Sequence, residues 1–183
     1  KSAGVQAVVD KSSTLIGPCR QSDCSVIAIH VKASDLLPGL VPPKDLTRFL
    51  NHIYQLLNEC MMDYGITRVS RFSGLCIAIA ANDGTMSYDE GVVGSMGASE
   101  SSNKVAMYST LAYLRHVQQR LDEYNAQNNI NVTLGVGVCH GPVTVGLVGG
   151  NELRYDCVGH TRDVACAMAV ATDGVVMTDC AAD

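Results

Sequence analysis

Residues 134–168 read LGVGVCHGPVTVGLVGGNELRYDCVGHTRDVACAM, and the reading of the fold turns on them. Val132, Leu134, Val136 and Val138 alternate with small or polar residues, as they do in a strand with one buried face. Gly141-Pro142 breaks the run, and Val143, Val145, Leu147 and Val148 predict a further short element behind it. Residues 163–171 form a weaker helix candidate, and residues 175–177 close the chain as a strand. The glycines permit tight turns and close backbone approach, so they speak for architecture before activity.

Upstream, the clearest helix spans residues 46–64. Leu46, Phe49, Leu50, Ile53, Leu57, Cys60 and Met61 recur at three- and four-residue steps, and Gly65 follows as a stop. Residues 66–72 and 75–81 read as strands joined at Ser73-Gly74 by a two-residue hairpin turn. A second helix is expected over 103–127, with Val105, Tyr108, Leu111, Ala112, Leu114 and Leu121 on its inner side. Between hairpin and helix, residues 82–103 are rich in Gly, Ser, Asn and Met and read as a long mobile loop. The apolar run SVIAIHV at 25–31 has the length and continuity of a strand buried on both faces. Residues 1–24 are read as a leader or flanking segment, with one domain over 25–183. The opening order is βαββαβ, an α+β fold with a ferredoxin-like core and a mainly antiparallel sheet. Helices are expected on one face, leaving the other to be covered by a second copy of the domain.

A chain of 183 residues, 47% apolar and 17% charged, suits one soluble domain with its own core. No apolar run reaches the roughly 20 residues a membrane helix needs. The chain begins at Lys1, which reads as a piece of a longer protein; membrane contact would come only through that parent. A net charge of -5, no basic cluster and no Trp argue against nucleic-acid binding. The eight cysteines form no CxxC pair and are expected as reduced thiols in a cytosolic compartment.

Three blocks in the opening stretch resemble the signature of the class III nucleotidyl cyclases, the adenylate and guanylate cyclase catalytic domains. They are G-x-G-x-x-x-G-P-V at 135–143, V-G-x-V-G at 145–149 and Y-D-x-x-G-x-T at 155–161. LNHIYQLLNECMMDYGITRV at 50–69 is similar to that family's first long helix and following strand. The resemblance covers about residues 25–179 and implies paired domains with sites at their interface. One partner supplies two aspartates for two Mg²⁺ ions, and the other supplies purine-reading residues and a transition-state Asn and Arg. Divalent ions assist attack of the 3′-hydroxyl on the α-phosphate by neutralising the phosphates.

Carried over position by position, the first metal aspartate falls at His30 and the second at Gly74. Magnesium takes oxygen ligands; glycine offers no side chain and imidazole is a poor substitute. The purine-contacting lysine falls at Ser70, while its acidic companion is kept as Asp156. The transition-state Asn falls at Asp163 and the Arg at Ala167. Val31, Lys32, Ala33 and Ser34 stand where the family's triphosphate loop lies and form a candidate phosphate loop. The family's last phosphate-binding lysine would lie beyond residue 183, so that end of the domain is expected to be missing.

The bland readings stand beside these. His30 reads as a strand-end histidine on a backbone carbonyl rather than a transition-metal ligand with Cys76 or His140. Asp35 reads as a cap or solvated residue, Asp83 as a turn residue, and His140 and His160 as turn histidines. The leading expectation is a catalytically degenerate cyclase-homology domain, acting as a dimerisation or regulatory module and pairing with itself or another cyclase-type domain. It is a cytoplasmic domain, of a larger membrane protein in one version, without cofactor. The alternatives are a cyclase active only with a complementing partner, using Mg or Mn with ATP or GTP, and a nucleotide-sensing module without turnover.

Overall fold

A computed structural model of the chain describes residues 8–9, 15–16, 20–32, 43–72, 74–81, 100–148 and 154–179. Strands β1 (Val8–Val9) and β2 (Leu15–Ile16) pair antiparallel in a small ladder of their own. The main sheet has six strands: β3 (Arg20–Lys32), β4 (Thr67–Phe72), β5 (Leu75–Ala81), β6 (Thr133–Val148), β7 (Arg154–Val158) and β8 (Gly174–Asp179). Their order is β4-β5-β3-β6-β7, with β8 also on β6. Every pairing is antiparallel except β6 with β8. Helix α1 (Pro43–Asp63) joins β3 to β4 and α2 (Glu100–Asn128) joins β5 to β6, completing the βαββαβ unit; α3 (His160–Ala171) lies between β7 and β8.

The sheet is longer than the sequence predicts. The strand expected over 25–31 begins at Arg20, because polar residues 20–23 continue the ladder against Val145, Thr144, Val143 and Pro142. The two elements expected either side of Gly141-Pro142 are one strand. Pro142 is tolerated because β8 pairs with β6 up to His140 and β7 from Thr144 onward, so the missing N–H falls in the gap between those neighbours. Strand β7 is an addition to the elements expected from the sequence.

Two cores flank the sheet. Ile27, Ile29 and Val31 of β3 pack with Phe49, Ile53, Leu57, Cys60 and Met61 of α1 and with Tyr113, Val117 and Leu121 of α2. Cys24, Val26 and Ala28 point the other way, towards Cys139, Val143, Cys157, Ala165 and Ala169. The second face is therefore partly covered by α3, which corrects the expectation of helices on one face alone. Gly135 and Gly137 let α3 lie this close. A Cβ on Gly137 would strike the Ala165 carbonyl oxygen and sit 2.8 Å from Met168 Cβ. One on Gly135 would strike the Ala169 oxygen and sit 2.6 Å from that of Thr172.

The stripe expected on α1 is the stripe that packs. On α2 the expected inner side is corrected: Val105, Tyr108, Leu111 and Ala112 are exposed, and the buried line is Ala106, Thr110, Tyr113, Val117 and Leu121, with Leu114. Small and hydroxylated residues fill it where the helix lies close, and Thr110 satisfies its hydroxyl on the Ala106 carbonyl at 2.8 Å. Residues 100–103 of the expected loop are helical, and 82–99 lie outside the described residues, as do Asp35 and Asp83. Cys60, Cys76, Cys157 and Cys166 are free thiols, whereas Cys139 is disulfide-bonded, which corrects the expectation of reduced thiols throughout. Among the described residues no helix is long and apolar enough to cross a membrane.

Candidate functional site

Alternation along β3 puts His30 and Lys32 on the face that α3 covers. His30 pairs with Leu75 across the ladder, and the Val31 N–H donates to the Gly74 carbonyl at 3.2 Å. A Cβ on Gly74 would meet the His30 ring at 3.5 Å, so positions 30 and 74 are direct neighbours. Gly74 has φ +84, the left-handed conformation a two-residue hairpin corner requires. His30 Nδ1 is buried without a hydrogen-bond partner, not on the carbonyl expected from the sequence. Burial, and then the nearby Lys32 ammonium, hold its pKa below the ordinary histidine value.

This donor set does not fit the two magnesium ions of the family. It offers one imidazole nitrogen beside a cation and no carboxylate, where magnesium takes oxygen ligands. Among the described residues no three His, Cys, Asp or Glu side chains converge as metal ligands. Cys76 and His140 are no help to His30. Cys76 packs with Ile29 on the α1–α2 face, and His140 pairs with Ser25 along β3, its Nδ1 3.2 Å from Ser25 Oγ.

The candidate phosphate loop is not a loop where it is described. Val31 and Lys32 belong to β3, Val31 is buried and its N–H is taken by Gly74. Lys32 Nζ is held by Asp173 at 2.7 Å. Ala33 and Ser34 lie outside the described residues.

Ser70 and Asp156 sit on β4 and β7, strands at opposite ends of the sheet order that curl towards each other; Val69 and Cys157 share one core cluster there. A register shift between Arg68 and Ser70 bulges β4 at this point. Asp163 and Ala167, one turn apart, are exposed together on α3. Gly159, at φ +145, turns the chain into α3, and the Thr161 hydroxyl donates to the Pro142 carbonyl at 2.8 Å, closing the gap beside β6. The residue that sequence reasoning missed is Arg162. Its Nη2 lies 2.9 Å from Asp163 Oδ1 and its Nη1 4.0 Å from Asp156 Oδ2. Burial alone would lower its pKa, but the hydrogen bond and charge of Asp163 raise it above the usual value. One basic residue flanked by matched motif positions gave no signal beyond its charge.

The model of the adenylate and guanylate cyclase catalytic domain matches residues 18–178, with the glycine blocks, the hairpin and α3 all inside the match. The chain belongs to that family. This cyclase domain is similar in fold to the adenylyl cyclase CyaB from P. aeruginosa, with TM-score 0.65 and 16% identity over 88% of this chain and 79% of that one. It is similar to the guanylate cyclase domain of RhGC from Catenaria anguillulae, solved in complex with GTP, at TM-score 0.65 and 14% identity over 87% and 80%. It is also similar to the non-canonical dimeric guanylyl cyclase domain of the RhoGC fusion protein from the aquatic fungus Blastocladiella emersonii, at 0.62 and 13% over 86% and 80%. At such identities the likeness concerns the fold of the cyclase domain and not its chemistry.

Proposed function

We propose that this cyclase domain is catalytically degenerate and acts as a dimerisation or regulatory module in cyclic-nucleotide-type signalling. The observation that carries the proposal is the His30–Gly74 pair. The two positions that the resemblance assigns to metal aspartates adjoin, yet they present one nitrogen donor and a left-handed glycine. The other half of the site points the same way: Ala167 offers no phosphate clamp, and Asp163 puts a carboxylate where negative charge would develop. Loss of such electrostatic stabilisation removes most of the rate in phosphoryl chemistry. No resident metal belongs to this reading. Pairing with a second cyclase-type domain does, and the dimeric state named for one structural neighbour supports it. A cytoplasmic setting within a larger protein goes with it; the free Cys60, Cys76, Cys157 and Cys166 support that setting and the disulfide on Cys139 opposes it.

The test is direct. The purified chain is incubated with ATP or GTP and Mg²⁺ or Mn²⁺, and cyclic nucleotide is quantified by mass spectrometry. No product above the protein-free control is expected; sustained product formation removes the proposal.

A further inference from the structure

Asp156 is the one site residue retained at its family position, and both its oxygens have neighbours. Oδ1 accepts the Cys157 N–H at 2.8 Å, and Oδ2 lies 4.0 Å from Arg162 Nη1. The guanidinium arrives from the first turn of α3 and is anchored on two sides. Nη1 donates to the Cys157 carbonyl at 3.2 Å, and Nε donates to Asp163 Oδ1 at 3.0 Å, with Nη2 at 2.9 Å. Its root is fixed as well, because Thr161 is tied to Pro142 and α3 is pressed onto the glycines of β6. Asp156 remains open to an entering ligand, its side chain 32% exposed beside 30% for Arg162.

A guanidinium is a planar set of N–H donors that matches a carboxylate. The N1–H and amino group of guanine, or the amino group alone of adenine, offer donors of the same kind, but without the charge. A neutral base therefore competes at a disadvantage with a tethered cation for Oδ2, the oxygen that Arg162 faces.

We infer that Arg162 is an intramolecular competitor for the purine, facing the base-reading carboxylate Asp156 from α3 and weakening purine binding in the free chain. This rests on the reading of Asp156 as the purine-side acid of a degenerate cyclase domain. Asp163 has the matching task of a counter-anchor, holding the guanidinium at the β7–α3 junction.

The experiment uses adenosine and guanosine, which lack phosphates and so separate base recognition from any metal. Affinity is measured by calorimetry for the whole chain, for Arg162→Gln and Arg162→Ala, and for each combined with Asp156→Asn. Either Arg162 variant is expected to bind at least one nucleoside about tenfold more tightly than the unaltered chain, and Asp156→Asn is expected to abolish the gain. The unaltered chain supplies an arm that needs no folding control. Its affinity for these uncharged ligands should rise between about 0.05 and 0.5 M NaCl, as salt screens the ion pair. Unchanged affinity in the Arg162 variants, or a gain that survives Asp156→Asn, overturns the inference; so does a flat salt response if neither variant folds. Cyclic-nucleotide formation is assayed in parallel. Product from the unaltered chain would end the proposed function, whereas a missing affinity gain without product would end the competitor alone.

Discussion

Gly137→Ala should loosen α3 from the sheet. The added methyl would strike the Ala165 carbonyl oxygen and lie 2.8 Å from Met168 Cβ and 2.9 Å from the Ala169 nitrogen. Two of these atoms are backbone within one helix, so no rotamer change relieves the contact and α3 must lift as a unit. Overpacking a close-fitting core costs typically 1–3 kcal/mol, and backbone opposition puts this case near the top, at about 3 kcal/mol. For a chain of this size each kcal/mol moves Tm by about 2–4 °C, so the expected drop is about 6–12 °C. Calorimetry reads the drop. Hydrogen exchange locates it, with amides of α3 exchanging faster and those of α1, on the opposite face, unchanged. A Tm within about 2 °C of the parent with α3 protection intact would refute the packing argument.

Stability should also fall with mild acid through His30. Its folded pKa is depressed, so the unfolded chain binds more protons between that value and the ordinary 6.5, and stability drops as pH falls through that window. Melts at pH 7.5 and 5.5 check this, and His30→Gln should show a smaller acid loss. The free thiols should separate by reactivity. Burial pushes Cys76 and Cys157 up to about 11, while Cys166 is only partly buried. Iodoacetamide at pH 8 should modify Cys166 first and reach Cys76 and Cys157 only after denaturation; early labelling of Cys76 would contradict the placement of β5.

How much was legible follows from where each signal resides. The stripe of α1 and the hairpin between β4 and β5 were readable because period and turn chemistry are local properties, and the structure keeps both the stripe and the pairing of Phe72 with Leu75. The inner face of α2 was not. Val105, Tyr108 and Leu111 are apolar enough to claim it, yet Ala106 and Thr110 take it because the space there suits small side chains. Strand β7 hid inside a motif: with Asp156 at its centre, RYDCV has too little alternation to stand alone. The strand character of Val31 and Lys32 was missed because pairing with Leu134 and Thr133 is set across the sheet. At the site, the residue types at 30 and 74 could be read directly. Their adjacency, the Lys32–Asp173 pair and the reach of Arg162 are facts of three dimensions.

The glycines at 135 and 137 answer to a helix, not to a ligand. A lineage that abandoned turnover would still have to keep them, since any larger residue dislodges α3 whether or not chemistry occurs nearby. A signature built on these positions therefore certifies ancestry and architecture. On the proposed reading, sorting silent members of such a family from working ones falls to the hairpin corner and the strand end facing it, where the fold accepts a glycine and a histidine.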